Sequence, residues 1–146
     1  MQARIRNPAM ILPEALAPAQ ALAKVADPIL PEKLRHLVHL RASQINGCAF
    51  CLELHTKMKT DETPQRLLTV AAWRDSPFFT DAERAALALT EAVTRIADDG
   101  VPDTVWDDAK KHFDERQLAA LVLHVAVVNV WNRLNVATRQ VAGTGW

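Results

Sequence analysis

The chain has 146 residues, enough for one helical domain that buries most of its apolar surface without a metal or disulfide staple. Seventeen Lys and Arg balance seventeen Asp and Glu, so no bulk field favours nucleic acid or an anionic membrane, and neither is an expected partner. Tyrosine is absent and only four glycines occur, while alanine, leucine, glutamate and arginine dominate, a composition that favours helix over strand.

Residues 1–30 read as an N-terminal arm with one short helix. Residues 1–12 carry no clear periodicity, and Pro13 to Val25 forms a helix limited or bent by Pro18. Arg4 and Arg6 ahead of Ala9 to Leu12 faintly imitate a signal peptide, but Pro13, Glu14 and Pro18 break the apolar region, so a cytoplasmic protein is expected. Pro31 opens the next helix, whose apolar face is Leu34, Leu37, Val38 and Ile45, and Asn46-Gly47 ends it. A new helix begins at Cys48 and runs to about Thr60. Thr63-Pro64 caps another to about Arg74.

Thr80-Asp81-Ala82-Glu83 matches a capping box and opens a helix to Asp98, stopped by Asp99-Gly100-Val101-Pro102. Pro102 to Phe113 is a shorter amphipathic helix. The last helix runs from about Glu115 to Thr138 and is apolar on most sides between Leu118 and Trp131, which places it in the core or a subunit contact. That tract is shorter than the ~20 residues a bilayer needs. The expectation is a single all-α domain, residues 1–146, of six or seven helices, with a CxxC pair at a helix N-terminus.

The stretch HLVHLRASQINGCAFCLELH, residues 36–55, holds both cysteines and three of the five histidines. Cys51 is i+3 and His55 i+7 from Cys48, so the three lie on one stripe of a helix. Both sulfurs sit near the helix start, where unpaired N–H groups and the dipole favour a thiolate. Lowering a thiol pKa from about 8.5 to about 6.5 raises the thiolate fraction at neutral pH roughly 25-fold. Nucleophilicity falls about 8-fold with it, so the net gain is only ~3-fold. A peroxide reaction therefore also needs a proton donor for the leaving oxygen, and His55 is within helical reach. As a structural disulfide the pair is weak, since so small a ring contributes only ~2 kcal/mol.

The run LRASQINGCAFCLELH resembles the core signature of the carboxymuconolactone decarboxylase superfamily, in its AhpD-like alkylhydroperoxidase branch, through Ser43, Gln44, Asn46, Gly47, Cys48, Cys51 and His55. AVVNVWNRLNVA, residues 126–137, resembles that family's terminal helix. The resemblance implies an all-helical fold, thiol-dependent reduction of organic hydroperoxides without a cofactor or metal, and homo-oligomers, trimers or hexamers. It also implies re-reduction by an external dithiol of lipoyl type. In the family the cysteines cycle between dithiol and disulfide, with the His and an upstream Glu in a proton relay; that Glu position, twelve before the first cysteine, is His36 here. The catalytic set is then Cys48, Cys51, His55 and His36.

Two alternatives remain open on the sequence. Cys51, one turn from His55, is the candidate for attack on peroxide and Cys48 the resolving thiol, although position at the helix end favours Cys48. His36 with Cys48, Cys51 and His55 also composes a Cys2His2 set, which would suit a metal- or redox-sensing oligomer. Lactone decarboxylation, which the superfamily's name invites, does not require a reactive CxxC. His39 and His124 read as packing residues, Glu53 as a surface charge, and Asn129, Asn132 and Arg133 as structural.

Overall fold

The computed structural model describes residues 2–58, 61–96 and 100–144, and the regular elements in them are helical. In chain order they are α1 (Pro8–Ile11), α2 (Leu16–Ala26), α3 (Glu32–Ile45), α4 (Ala49–Lys57), α5 (Pro64–Thr69), α6 (Asp81–Arg95), α7 (Asp103–Ala109) and α8 (Glu115–Thr138). Short 3₁₀ turns, Pro13–Ala15 and Val70–Ala72, precede α2 and follow α5. Seven of the eight helices correspond to the seven segments read from sequence. The eighth, α1, lies in the supposed arm, where Asn7 accepts the Ala9 N–H and Pro8 occupies the first helical position. A helix this short has no periodicity to reveal it.

Boundaries shift where local hydrogen bonding changes. Pro18 falls in the first turn of α2, where its missing N–H costs nothing, so it does not bend the helix. After α7 the chain tightens through Lys111 N–H to Asp108 O and His112 N–H to Ala109 O, and this turn carries Phe113 into the core. The helix ends expected at Thr60 and Asp98, and the stop at Asp99, lie outside the described residues. Thr80 and Glu83 form the expected reciprocal capping box on α6, and Asp114 with Gln117 forms a second one on α8.

Helices α3, α6 and α8 pack on one another at the centre, with α2 against α8, α7 against α6, and α4 across α3 and α8. Leu34 and Val38 of α3, Ala86 and Leu89 of α6, and Leu118, Leu121 and Val125 of α8 share one apolar cluster. A second cluster joins Leu37 and Leu40 to Val70, Trp73, Phe79 and Leu87. By length and composition α8 alone among the described helices is long and apolar enough to cross a membrane. Half of its apolar window is buried, and it turns Asn129, Asn132 and Asn135 inward, as the core helix of a bundle does.

Candidate active site

The junction of α3 and α4 follows from Asn46-Gly47-Cys48. Gly47 has φ +63°, the left-handed conformation that glycine adopts without a Cβ penalty. Its N–H donates to Gln44 O (3.2 Å) and the Cys48 N–H donates to Ser43 O (3.0 Å), the paired bonds of a Schellman end. Cys48 is at the same time the N-cap of α4, and its Sγ accepts the Cys51 backbone N–H at 3.2 Å. One residue thus closes α3 and opens α4. The sulfurs are joined as a Cys48–Cys51 disulfide, with Cα atoms 5.3 Å apart.

The rest of the motif ties this junction to α8. Asn46 Nδ2 donates to Asn129 Oδ1 and Asn132 Oδ1, both at 2.9 Å, and Asn132 Nδ2 donates to Ser43 Oγ at 3.0 Å. Asn129 also reaches Thr94 Oγ1 on α6 (3.1 Å). Spaced i, i+3 and i+6, Asn129, Asn132 and Asn135 form a buried polar stripe, in which every amide finds partners, as burial demands. Asn135, which sequence reasoning missed, donates from Nδ2 to Cys51 Sγ at 3.4 Å. Its helical register with Asn132 was the available signal.

The two cysteines open on different sides. Cys51, 7% exposed, lines a cleft of about 500 Å³ with His39, His55, Ser43, Asn132 and Asn135 among its polar groups. Met10, Leu16, Leu54, Met58, Val128 and Trp131 supply its apolar walls, and among the described residues no Lys, Arg, Asp or Glu lines it. Cys48, 1% exposed, borders a separate hollow with Phe50, Val136 and Arg139. Phe50 is buried against the disulfide and does not line the cleft.

Four imidazoles run behind the sulfur. The ring centroids of His36 and His55 are 4.8 Å apart, those of His39 and His55 6.4 Å, and those of His39 and His124 5.3 Å. His39 Nε2 and His124 Nδ1 are 3.3 Å apart, and His124 Nε2 faces the Asp27 carboxylate at 3.8 Å. A lone pair facing that carboxylate would be repelled, so the His124 proton belongs on Nε2 and His39 Nε2 is the donor to Nδ1. Burial and the neighbouring imidazoles His124 and His55 push His39 down to about 3, and burial with His36 pushes His55 down to about 4. Burial also lowers His36, against the opposing pull of Glu62 and Glu32. At neutral pH the cleft therefore presents neutral imidazoles.

Cys48, Cys51, His55 and His36 are brought together as a group, but in two layers. Cys51 and His55 share the cleft, whereas His36 stands behind His55 and shares with it a smaller cavity that also touches Leu40 and Leu67. His39, read as packing, is the second imidazole in the cleft. Among the described residues no group of three or more His, Cys, Asp or Glu side chains is arranged to hold a metal ion. Glu53 pairs with Lys57 at 2.5 Å, one turn along α4.

The carboxymuconolactone decarboxylase family profile matches residues 13–92, more than half of the chain and all of the CxxC region. The uncharacterised protein YdfG of Bacillus subtilis is 42% identical over 105 residues, covering 70% of this chain and 71% of that protein. A solved structure from Agrobacterium tumefaciens, described as a protein of unknown function and suggested to be the antioxidant defence protein AhpD, matches with TM-score 0.90 and 35% identity, over 98% of this chain and 99% of that one. The debrominase Bmp8, solved in complex with 2,3,4-tribromopyrrole, shares the fold at TM-score 0.79 and 21% identity, over 90% of this chain and 72% of its own. With the Cys48–Cys51 pair seated at its helix start, this chain belongs to the carboxymuconolactone decarboxylase family, in its AhpD-like branch.

Proposed function

We propose that the protein is a thiol-dependent peroxidase that reduces organic hydroperoxides through a Cys48–Cys51 dithiol/disulfide cycle, in antioxidant defence. The observation that carries this reading is the shared cleft: Cys51 and His55 open together onto a largely apolar space, with no Lys, Arg, Asp or Glu among the described residues that line it. A space of that size suits a small organic molecule. The likeness to the Agrobacterium protein supports an antioxidant role, and the debrominase is a reminder that the fold also serves other activities.

In the proposed cycle His55, neutral at pH 7, takes the Cys51 thiol proton. The Cys51 thiolate attacks the terminal peroxide oxygen, the S–O bond forms as the O–O bond breaks, and the departing alkoxide receives the proton from His55 as alcohol. The Cys48 thiol then displaces water from the Cys51 sulfenic acid and closes the disulfide. An external dithiol, of lipoyl type, returns both thiols. His36 supports His55 from behind, in the position where the branch has its relay carboxylate. The working unit is a homo-oligomer, a trimer or hexamer, in the cytoplasm.

Stopped-flow oxidation of the fully reduced protein by cumene hydroperoxide tests the reading. The expected result is loss of both thiols at a rate far above that of free cysteine, with Cys51→Ser losing the fast phase and Cys48→Ser stopping after one turnover as sulfenic acid. A rate no better than free thiol overturns it and leaves disulfide exchange or redox sensing as the use of the pair.

A further inference from the structure

A directed chain of amides ends on the Cys51 sulfur. The Ala9 backbone N–H donates to Asn7 Oδ1 (2.8 Å), which leaves Asn7 Nδ2 to donate to Asn135 Oδ1 (2.6 Å). That bond in turn leaves Asn135 Nδ2 to donate to Cys51 Sγ (3.4 Å). Each bond fixes which way the next amide faces, so neither amide is free to flip. Asn7 and Asn135 are both 2% exposed, and 128 residues separate them.

A neutral disulfide sulfur is a weak acceptor, and an oriented buried amide gains little by facing it. The same N–H facing a thiolate forms a charge-assisted bond, about twice as strong as a neutral one. We propose that Asn135 is a catalytic residue that holds the Cys51 thiolate, and that Asn7 is the positioning residue that aims it. The inference deepens the reading above and rests on it only for which sulfur reacts with peroxide. The same contact acts in the return step. When the reductant thiolate attacks Cys48 Sγ, the new S–S bond forms as the Cys48–Cys51 bond breaks, and Cys51 departs as the thiolate that Asn135 receives.

The other groups around this sulfur leave the role to the amide. Among the described residues the imidazoles sharing its cleft are His55 from α4 and His39 from α3, both neutral at pH 7. α8 contributes the uncharged Asn132 and Asn135, and α1 and α2 contribute Met10, Leu16 and Gln20. Among the described residues no Lys or Arg lines the cleft. The N-cap bond at the helix start goes to the other sulfur, that of Cys48.

The test titrates Cys51 alone, in a Cys48→Ser background, by the pH dependence of iodoacetamide alkylation. Asn135→Ala is expected to raise the thiol pKa by about one unit, which is about tenfold less thiolate at low pH. Asn7→Asp keeps an acceptor for the Ala9 N–H but cannot donate to Asn135, and is expected to raise it in the same direction. Because a more basic thiolate is more nucleophilic, Asn135→Ala is expected to react about 3-fold slower than the parent well below the pKa and about 3-fold faster well above it. A purely structural role would not produce that crossover. A thiol pKa within about 0.3 unit of the parent in folded Asn135→Ala overturns the proposal. If Asn135→Ala does not fold, an unchanged pKa in Asn7→Asp overturns it. The assay uses no peroxide, so a shifted thiol with free-cysteine peroxide rates would remove the peroxidase reading and leave the role of Asn135 standing.

Discussion

At the scale of single residues, the imidazoles divide the labour around Cys51. His55 shares the cleft with the sulfur, and His36 reaches the cleft only through His55. His55→Ala is therefore expected to slow cumene hydroperoxide oxidation of reduced protein by about 10²-fold at pH 7, and His36→Gln by about 10-fold or less. Parallel stopped-flow traces check the ordering, and a larger loss in His36→Gln would reverse it. Helical spacing was enough to put Cys51 and His55 on one side of α4, whereas Cys48, the N-cap, opens on another side. Spacing was not enough to separate His36 from His39, because which of two residues a turn apart meets the cleft depends on how α3 is rotated against α4. The contact of His39 with His124 spans 85 residues, and that of Asn135 with Cys51 spans 84, so no local pattern announces either one.

Among the elements, the α3–α4 junction is the most tightly specified. Asn46-Gly47 was legible as a helix end, and the capping box at Thr80 as a helix start, because both rest on side chains a few residues apart. Space around Gly47 is open, with no atom within 4 Å of an added Cβ, so the cost of Gly47→Ala is that of the left-handed backbone rather than a clash. The variant is expected to lose about 1 kcal/mol in urea unfolding. It is also expected to weaken the cap that Cys48 provides to α4, read as a shift in the reduction potential of the disulfide. An unchanged potential together with the full stability loss would show that the two roles of Cys48 are separable.

For the whole molecule, buried titratable groups set the acid limit of stability. Glu91, 4% exposed on α6, accepts from Trp73 Nε1, Arg74 and Arg41, each at 2.8 Å, and pairs with Arg95 at 3.3 Å. Burial alone would raise its carboxyl, but these donors hold it at about 2. His39 and His55 lie well below the usual imidazole value of 6.5, at about 3 and about 4. An imidazole held neutral in the fold contributes stability that is complete above about pH 6.5 and is lost as the unfolded chain takes up protons below it. A depressed carboxyl contributes stability that is complete above about 4.5 and is lost toward about 2. The melting temperature is therefore expected to fall in two overlapping stages on acidification, the first from about pH 6.5 to about 3 and the second from about 4.5 to about 2. His39→Gln should flatten the first stage and Glu91→Gln the second. A flat melting temperature from pH 7 to 4.5 would contradict the buried neutral imidazoles.

The amide chain from Asn7 to Cys51 has a consequence for divergence among related proteins. Both asparagines fall outside residues 13–92, the part of the chain that the family profile matches. Two proteins can therefore carry the same CxxC motif, letter for letter, and still differ in the acidity of the reacting thiol, because the difference is written near the two ends of the chain. Selection on reactivity can act there without disturbing the motif. Sorting relatives by the joint presence of asparagine at the positions of Asn7 and Asn135 would group them by thiol chemistry more finely than the motif does.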